Sequence, residues 1–448
     1  MGDVPDIASA RRDAAGYAAD FGEAKPPLDR KGALVDAARC YFCYDAPCVE
    51  ACPTAIDIPS FIRKVSTGNV RGAALDILEP NIFGGACARV CPTEELCEQA
   101  CVRTAQEGKP VRIGLLQRYA TDRFMEMGEQ PFHRAPDTGK TVAVVGAGPA
   151  GLSAAHRLAR LGHSVTVFEA RPKPGGLNEY GIAAYKVPGD FAQREVEFIL
   201  SIGGIELRHE TVLGRDITLG GLRREYDAVF LGIGQTGVRG LDAEGATLQG
   251  VRPAVDFIAE LRQAPDVRAI PVGRRVVVIG GGNTAIDIAA QTRRLGAEDV
   301  TIVYRRGPDA MSATRHEQEF VQTGGVRIKH WAQPARLIGD GGHVRAIEFE
   351  RTRAAKDGRL EGTGETFTLA ADQVFTAIGQ VFVADPVVQG DGEVLEIAGE
   401  RIVVDSAGAT SMPGVFAGGD CVSGKDLTVQ AVEDGKSAAL AIDHYLRH

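Results

Sequence analysis

Residues 141–151 read TVAVVGAGPAG, a short apolar run followed by a glycine-rich turn. The apolar run predicts a buried strand, and the turn predicts the start of a helix that continues to about Leu161. In the pattern G-x-G-x-x-G, the first glycine allows the turn, the second lets the backbone approach a pyrophosphate, and the third lets the helix pack on the strand. We therefore predict a dinucleotide site in which Gly146, Gly148 and Gly151 take these three parts.

An acidic residue strengthens this prediction. The next predicted strand, Val165 to Phe168, ends in Glu169, and a carboxylate at that place can accept hydrogen bonds from the hydroxyl groups of a ribose. The glycine pattern alone would be weak evidence, whereas strand, turn, helix and acid together are specific.

The same unit returns at 275–285, where an apolar strand leads into GGGNTA and a helix to about Leu295. Its second strand, Val300 to Tyr304, is followed by Arg305 and Arg306 where the first unit has an acid. A guanidinium can bind the 2′-phosphate of NADP through two hydrogen bonds, which favours NADP over NAD. The alternative is that both arginines are simply solvated at the end of a strand.

Two units of this kind, one followed by an acid and one by arginines, indicate FAD in the first and a nicotinamide nucleotide in the second. The stretch GVFAGGD at 414–420 supports this assignment, because it predicts a strand ending in Asp420, which could hold the ribityl hydroxyl groups of a flavin. A helix beginning at Thr428 could place its positive end near the reduced flavin ring. An ordinary strand–helix crossover with a capping aspartate is the alternative. Cys421 is predicted to be a small apolar filler.

Eight of the nine cysteines lie in two runs upstream of these units. The spacing C-x2-C-x(n)-C-x3-C-P is typical of proteins that hold two iron–sulfur clusters, and cysteine–proline pairs occur in both runs. Structural zinc and a disulfide scaffold are the alternatives. Spacing alone does not decide whether all eight thiolates bind, because Cys87 precedes Cys91 by only four residues. The cysteines of the two runs are Cys40, Cys43, Cys48 and Cys52, then Cys87, Cys91, Cys97 and Cys101.

The patterns between and around the cysteines predict helices at 7–39, 57–67, 70–78 and 111–125. Glycines and prolines from 128 to 139 indicate a linker. The predicted fold class is α+β and multi-domain: a helical two-cluster iron–sulfur domain, followed by two doubly wound, Rossmann-like α/β domains. The predicted domains are a helical cluster domain at 1–126, the linker at 127–139, an FAD-binding domain in two parts at 140–250 and 385–448, and an NAD(P)-binding domain at 251–384 that splits it.

Composition narrows the class of protein. A hydrophobic content of 44% and a charged content of 24% are ordinary for a soluble globular protein. The net charge of −9 argues against nucleic acid or an anionic membrane as a partner. No apolar run reaches transmembrane length, and the acidic, alanine-rich start has no signal-peptide core. We therefore expect a cytoplasmic protein.

Two stretches carry a resemblance to a known family. Residues 48–58 (CVEACPTAIDI) and 90–97 (VCPTEELC) resemble the FAD and iron–sulfur small subunits of NAD(P)-dependent dihydropyrimidine dehydrogenases, within a wider group that includes glutamate synthase small subunits. The resemblance covers nearly the whole chain. It implies an electron-input subunit that oxidises NAD(P)H at FAD and passes electrons through two [4Fe–4S] clusters to an FMN-containing catalytic subunit, which reduces uracil or thymine to the 5,6-dihydropyrimidine.

Other functions are compatible with the same architecture. The chain could be a glutamate synthase small subunit or a subunit of a ferredoxin-linked NADP oxidoreductase. A non-catalytic sensor or assembly scaffold belongs to a different class, and intact sites for both dinucleotides argue against it. No catalytic acid or base is expected, because hydride transfer needs positioning and exclusion of water more than proton transfer.

The resemblance also implies site residues. The first cluster is expected on Cys40, Cys43, Cys48 and Cys101, and the second on Cys52, Cys91, Cys97 and Gln117, which leaves Cys87 spare. Ser312 stands where NADPH-using eukaryotic relatives carry a further arginine, and bacterial relatives use NADH, so the NADP preference inferred above is not settled by the sequence. The flavin contacts implied are Gly148, Gly151, Glu169, Gly176, Leu177, Lys186, Asp420 and Thr428. The nucleotide site combines the glycine loop with implied contacts, namely Gly280, Gly282, Asn283, Thr284, Ala285, Arg305, Arg306, Ala377, Ile378 and Gly379.

Overall fold

A computed structural model of the protein describes residues 6–7, 11–388 and 395–448. Only helices occur among the described residues before position 140, and helices alternate with strands after it. In chain order the α-helices are α1 Ala14–Asp20, α2 Arg30–Ala37, α3 Pro47–Glu50, α4 Ile58–Ser66, α5 Val70–Leu78, α6 Gly84–Val90, α7 Val102–Glu107, α8 Ile113–Glu126, α9 Pro149–Arg160, α10 Leu177–Tyr180, α11 Phe191–Leu200, α12 Leu219–Glu225, α13 Ala254–Gln263, α14 Asn283–Leu295, α15 Arg315–Thr323, α16 Asp385–Val388 and α17 Thr428–Arg447.

The strands form two parallel sheets, one antiparallel sheet and two short pairs. In chain order they are β1 Thr141–Val145, β2 Ser164–Phe168, β3 Ile205–Arg208, β4 Ala228–Leu231, β5 Gly237–Val238, β6 Val251–Pro253, β7 Arg275–Gly280, β8 Asp299–Tyr304, β9 Arg327–His330, β10 Ala332–Asp340, β11 His343–Ala354, β12 Leu360–Ala370, β13 Gln373–Ala377, β14 Gln380–Val381, β15 Ile397–Ala398, β16 Arg401–Ile402 and β17 Val415–Ala417.

The chain divides into two compact units. The larger unit consists of Lys25–Glu179, Gly189–Gly237 and Val381–His448, within the described residues. The smaller unit consists of the described part of Met1–Ala24 together with Tyr180–Pro188 and Val238–Gln380.

The larger unit contains a five-stranded parallel sheet in the order β17-β4-β1-β2-β3. Val142 lies between Val165 and Ala228 in register, and such apolar runs are typical of parallel strands that are buried on both faces. Helix α9 packs against α17, and Ser153 donates a hydrogen bond from its hydroxyl to the Val432 carbonyl at 2.7 Å. The first strand of the unit therefore lies in the middle of the sheet, as in doubly wound folds.

The smaller unit repeats this arrangement in the order β6-β13-β7-β8-β9. Phe257 of α13 and Phe375 of β13 pack edge to face beneath it, with ring centres 4.8 Å apart. Helix α1 joins this unit because the Tyr17 hydroxyl donates to the Leu295 carbonyl at 2.8 Å. An antiparallel sheet, β10-β11-β12, follows β9 and was not predicted from the sequence.

These observations confirm the predicted fold class: a helical segment, then two doubly wound parallel sheets, with the last strand of the first sheet following the second sheet in sequence. The extent of the first predicted helix is wrong. Residues 7–39 contain two separate helices, α1 and α2, because Gly22, Pro26 and Pro27 interrupt the pattern between them. Residues 8–10 of that prediction lie outside the described residues.

The division by contacts differs from the predicted domain boundaries. Residues 238–250 belong to the smaller unit because Glu244 bridges to Arg336, and Gln249 to His343, on the antiparallel sheet. Helix α1 also belongs to the smaller unit, although the sequence placed it with the cysteines. The predicted cluster domain and the predicted FAD domain fall together in the larger unit.

No described helix has the length and apolar character that a membrane crossing requires.

The helical segment and the parallel sheet of the larger unit are joined through Glu195, a buried residue of α11. Its Oε1 atom accepts hydrogen bonds from the backbone N–H groups of Gly85 and Ala86, both at 2.9 Å, at the start of α6. One turn later, the Arg89 guanidinium stacks over the ring of Phe191, 3.5 Å from its centre. Gly85 has no room for a side chain, because a Cβ atom there would lie 2.6 Å from that ring. Helix α6 of the helical segment and helix α11 therefore pack in direct contact.

A second contact between the helical segment and α9 lies at the end of α5. Arg157 and Arg160 of α9 both approach the Glu79 carboxylate, at 3.2 and 3.0 Å. These contacts tie the helix that follows the first glycine loop to the helical segment.

Glu195 is expected to make the protein less stable as pH rises. Burial raises the pKa of Glu195 to about 7, from an ordinary value of 4.5 in the unfolded chain. Between these values the unfolded chain loses the proton while the folded chain keeps it, so the free energy of unfolding falls by about 3 kcal/mol as pH rises through this range. The variant Glu195→Gln keeps an acceptor oxygen and does not titrate. Urea unfolding of both proteins at about pH 5 and about pH 8, followed by circular dichroism, should show the loss only in the wild type. Equal losses in both proteins would contradict this role of Glu195.

Candidate functional site

Four thiols from both cysteine runs line one cavity of the larger unit. They are those of Cys40, Cys43, Cys48 and Cys101, and the remaining wall is largely apolar, with Ile58 among its residues. Cys40 and Cys43 lie in the loop before α3, Cys48 lies in α3, and Cys101 directly precedes α7, so two distant parts of the chain close around the same space. This is the set predicted for the first cluster.

The loop at the first two cysteines has an unusual backbone. Phe42 adopts a φ of 51°, in the left-handed region that bulky residues rarely occupy. This conformation turns the Phe42 backbone N–H toward the Cys40 sulfur, to which it donates at 3.4 Å. Backbone N–H groups directed at sulfur are common around iron–sulfur clusters, because they offset the negative charge of the thiolates.

Burial, together with the neighbouring thiols of Cys101 and Cys40, raises the pKa of Cys48 to about 12. The pKa of Cys40 is raised for the same reasons. Thiols that burial keeps neutral need a metal cation to ionise them, and metal binding would release their protons. The donor set therefore fits an iron–sulfur cluster.

A second group lies nearby in the same unit. Burial raises the pKa of Cys97 well above the ordinary value, and the thiols of Cys52 and Cys48 contribute to it. An interaction in which the Cys91 thiol donates to Cys87, together with burial, raises the pKa of Cys91, which also has Cys97 and Cys52 as neighbours. Three predicted ligands of the second cluster are thus brought together, with Cys87 beside them.

Gln117, the fourth predicted ligand of the second cluster, is buried on α8. Its amide nitrogen donates a hydrogen bond to the Gly84 carbonyl at 2.7 Å. Because the amide nitrogen is held in this hydrogen bond, the amide oxygen, which is the atom that could bind iron, points away from the Gly84 carbonyl. The structure shows this orientation, and ligation by Gln117 stays a prediction.

The described residues contain neither a zinc-type group of ligands nor a disulfide. Among the described residues, no three side chains of His, Cys, Asp or Glu converge as they would around one zinc ion. In a [4Fe–4S] cluster each thiolate binds its own iron, so the sulfurs surround a volume and do not converge on one point. All nine cysteines are free.

The first glycine loop has the close contacts that its predicted role requires. Gly146 has a φ of 99°, and a Cβ atom on Gly151 would lie 1.9 Å from the Gly146 carbonyl oxygen. Gly148 precedes α9 without a side-chain cap, so the N–H groups of the first turn of α9 can bind an anion such as a pyrophosphate. Gly176 approaches so closely that a Cβ atom on it would lie 2.7 Å from the Cα of Gly148. The backbone therefore leaves a cradle that any side chain at these positions would fill.

Glu169 supports this loop directly. Its Oε2 accepts from the Ala147 N–H at 2.9 Å, and its Oε1 accepts from the Arg171 N–H at 2.8 Å. Each carboxylate oxygen has a second lone pair, which remains available to a ribose hydroxyl. Glu169 is thus placed at the end of β2 as predicted, with a structural role that the sequence did not reveal.

The remaining flavin candidates of the larger unit lie at the ends of other elements. Burial raises the pKa of Asp420 to about 6, helped by the Asp426 carboxylate, and hydroxyl donors such as those of a ribityl chain would stabilise the ionised form. Thr428 begins α17, which has no side-chain cap, and its hydroxyl bonds to Asn178 at 3.2 Å. Leu177 is exposed at the start of α10.

The second glycine loop, in the smaller unit, has the same construction. Gly280 has a φ of 147°, and a Cβ atom on it would lie 2.1 Å from the Ala377 carbonyl oxygen. Gly282 precedes α14 without a side-chain cap, which leaves the N–H groups of Asn283 and Thr284 at the open end of the helix. Ala285 is buried in the first turn. Ile378 and Gly379 follow the last residue of β13.

Arg305 and Arg306 are exposed at the end of β8. Neither guanidinium is ion-paired with any residue that the structure describes, so both are available to an anion. Ser312 lies close to the glycine loop, since its hydroxyl oxygen would be 3.2 Å from a Cβ atom on Gly282.

Lys186, predicted to contact the flavin, belongs to the smaller unit. Its ammonium group pairs with Asp287 at 2.8 Å and with Glu317 at 2.9 Å. Burial alone would lower the pKa of Lys186, but the two carboxylates outweigh it and raise the pKa. The predicted role of Lys186 stays a prediction, and its two acidic partners were missed. The only signal in the sequence was Asp287 itself, a charged residue between the apolar Ile286 and Ile288 in the middle of a helix.

Two family profiles match the chain. One, described as dihydropyrimidine dehydrogenase domain II with a 4Fe-4S cluster, covers residues 17–129. The other, described as pyridine nucleotide-disulphide oxidoreductase, covers residues 140–435. Residues 130–139, which belong to the predicted linker, lie between the two matches.

Curated relatives match over almost their whole length. The PreT subunit of the NAD-dependent dihydropyrimidine dehydrogenase of Salmonella typhimurium is 36% identical over 92% of this chain and 94% of its own. The glutamate synthase [NADPH] small chain of Escherichia coli is also 36% identical, over 95% of this chain and 94% of its own.

Solved structures show the same fold for part of the chain. FprA of Mycobacterium tuberculosis in complex with NADPH has a TM-score of 0.58 at 22% identity, over 70% of this chain and 85% of its own. Thioredoxin reductase of Lactococcus lactis has a TM-score of 0.54 at 23% identity, over 69% of this chain and 99% of its own.

Proposed function

The chain belongs to the oxidoreductase family of the PreT subunits and the glutamate synthase small chains, and we propose that it is the electron-input subunit of a dihydropyrimidine dehydrogenase. Its cofactors are FAD, [4Fe–4S] clusters and NAD(P)H. In this role it oxidises NAD(P)H and delivers electrons to an FMN-containing partner subunit. That partner reduces uracil or thymine to the 5,6-dihydropyrimidine.

One observation carries the proposal: both groups of thiols and the loop predicted to bind FAD lie in one compact unit. Glu195 and Glu79 join the helical segment to the sheet within this unit. Electron transfer needs donor and acceptor held at a fixed, short separation, and a tightly joined unit provides this.

The chain's own residues hold and orient the cofactors. Bound FAD supplies the exchange between two-electron hydride chemistry and one-electron steps, and the clusters supply one-electron transfer. Gly148 would let the backbone approach the pyrophosphate, Gly146 and Gly151 allow the turn and the close packing of α9, and the uncapped start of α9 would offer N–H donors. Glu169 fixes this loop, and Asp420 is placed to accept from hydroxyl groups.

The partner is tested by anaerobic co-purification from the native cell. We expect mass spectrometry to identify an FMN-containing protein bound to this chain, and the complex to oxidise NAD(P)H only when uracil or thymine is present. A partner with a glutaminase domain, or steady NAD(P)H oxidation that uracil and thymine do not affect, would contradict the proposal.

The second candidate is a glutamate synthase small subunit or a ferredoxin-linked NADP oxidoreductase subunit. The equal identity to the glutamate synthase chain favours keeping it. The same co-purification distinguishes the candidates, because their partners differ in mass, cofactor and substrate.

The exposed arginines after β8 give a prediction about nucleotide choice. In the double variant Arg305→Ala, Arg306→Ala we expect the KM for NADPH to rise about 10-fold to 100-fold, because two charge-assisted bonds to the 2′-phosphate are lost. The KM for NADH, which has no such phosphate, should stay the same. Steady-state oxidation of each nucleotide with an artificial electron acceptor measures both constants.

The matched control is Arg336→Ala on the antiparallel sheet, which also removes an exposed guanidinium, here one that pairs with Glu348 at 2.7 Å. It should change neither constant. An unaltered KM for NADPH in the double variant would show that the arginines are only solvated.

A further inference from the structure

Three buried side chains form a row of hydrogen bonds that begins at Cys52, a thiol of the second group. Thr54, Asn81 and Cys87 have exposed fractions of 1%, 0% and 2%. Buried polar atoms are costly unless they are hydrogen-bonded. Here they bond to one another in a row that begins at Cys52 and ends at Cys87.

The distances define the row. The Thr54 hydroxyl lies 3.4 Å from the Cys52 sulfur, and it accepts a hydrogen bond from the Asn81 amide nitrogen at 3.3 Å. The Cys87 thiol donates to the Asn81 amide oxygen at 3.8 Å. Cys91 lies one helical turn further along, and its backbone N–H donates to the Cys87 carbonyl at 3.0 Å.

The direction of each bond follows from what each atom can donate. A sulfur that binds iron is a thiolate and only accepts, so Thr54 gives its one proton to Cys52 and accepts from the Asn81 nitrogen. The Asn81 oxygen then faces Cys87, which must be the donor. A thiolate at Cys87 would face this oxygen with no proton between them. The arrangement therefore requires a protonated thiol at Cys87.

We propose that Thr54, Asn81 and Cys87 form a hydrogen-bonded arc that makes the reduction potential of the second cluster less negative and keeps Cys87 outside the ligand set. Reduction adds negative charge to a cluster and its thiolates, and proton donors directed at those sulfurs stabilise the added charge. Thr54 donates to Cys52, and Cys87 acts through Asn81: its proton holds the Asn81 oxygen, so that the Asn81 nitrogen donates to Thr54 and the Thr54 proton is left for Cys52. These are positioning residues, and the inference rests on the proposed function, because it needs the cluster.

The first test compares Thr54→Val with Thr54→Ser in the full, anaerobically purified chain. Valine has nearly the same shape as threonine but no proton to donate, whereas serine keeps the hydroxyl. Potentiometric titration followed by electron paramagnetic resonance should show a more negative midpoint for the second cluster in Thr54→Val and a near wild-type midpoint in Thr54→Ser. The signal lost in Cys97→Ala identifies the second cluster, and the first cluster, whose midpoint should not move, is the internal reference.

The second test concerns Cys87. The Cys87→Ala variant should keep the iron content of the wild type and shift the same midpoint to more negative values, whereas Cys87→Ser should shift it less. Cys421→Ala removes another buried thiol, one that donates to the backbone carbonyls of Leu231 and Gly418, and should change neither quantity.

The outcomes separate this inference from the proposed function. Loss of about half the iron in Cys87→Ala would show that Cys87 is a ligand and would contradict the proposed arc. Full iron content with unshifted midpoints in Thr54→Val and Cys87→Ala would also overturn the arc while leaving the proposed function intact. A wild-type chain without iron would overturn both.

Discussion

Replacement of Gly151 by alanine is expected to abolish FAD binding. The added Cβ atom would lie 1.9 Å from the Gly146 carbonyl oxygen, a backbone atom that cannot move aside without displacing the glycine loop. Gly146 is itself confined, because a Cβ atom on it would lie 2.4 Å from the Gly232 carbonyl oxygen. We expect affinity for FAD to fall at least about 100-fold, which corresponds to about 3 kcal/mol. The flavin absorbance of the purified chain, and its recovery on adding FAD, measure this loss.

The matched control is Gly424→Ala, in the loop before α17. A Cβ atom at Gly424 meets nothing within 4 Å, and its backbone is not left-handed. This variant should keep its flavin. Normal flavin content in Gly151→Ala would refute the assignment of the first loop.

Replacement of Cys48 by alanine is expected to remove one cluster and leave the other. The wild type should contain about eight irons in two [4Fe–4S] clusters, and the variant about four, because the Cys48 thiol lines the first cavity together with three other cysteines. Iron and sulfide analysis of anaerobically purified protein measures the change. Electron paramagnetic resonance of the reduced protein should show the second cluster alone.

Cys421→Ala is the control for this experiment as well, since it also removes one cysteine but from a site far from either group in the sequence. It should contain as much iron as the wild type. Equal iron in wild type and Cys48→Ala would mean that the first four thiols do not hold a cluster together.

The sequence predicted those parts of the fold that depend on local pattern. The strand at 141–145 and the helix at 70–78 agree with the structure at both ends, because uninterrupted apolar periodicity and flanking glycine or asparagine define them. Gly146 and Gly280 were predictable for the same reason: the left-handed turn after a buried strand requires glycine.

Contacts between distant residues were not predictable. Glu195 looks in sequence like any acidic residue of a surface helix, and nothing local indicates that it accepts from α6, more than 100 residues earlier. Lys186 likewise gave no sign of its two carboxylate partners. Thr54 and Asn81 are ordinary polar residues until the fold buries them side by side. Such roles arise from packing, which a single sequence does not encode locally.

The pairing of α9 with α17 has a consequence for how the protein is made. Gly435 of α17 approaches α9 so closely that a Cβ atom on it would lie 2.1 Å from the Ala150 carbonyl oxygen, and β17 completes the sheet beside β4. On the ribosome, the smaller unit's residues 238–380 emerge between these partners and can fold first, while the larger unit waits for its last helix. We therefore expect FAD to be acquired only after translation has passed α17, so that nascent chains halted before Thr428 would bind no flavin.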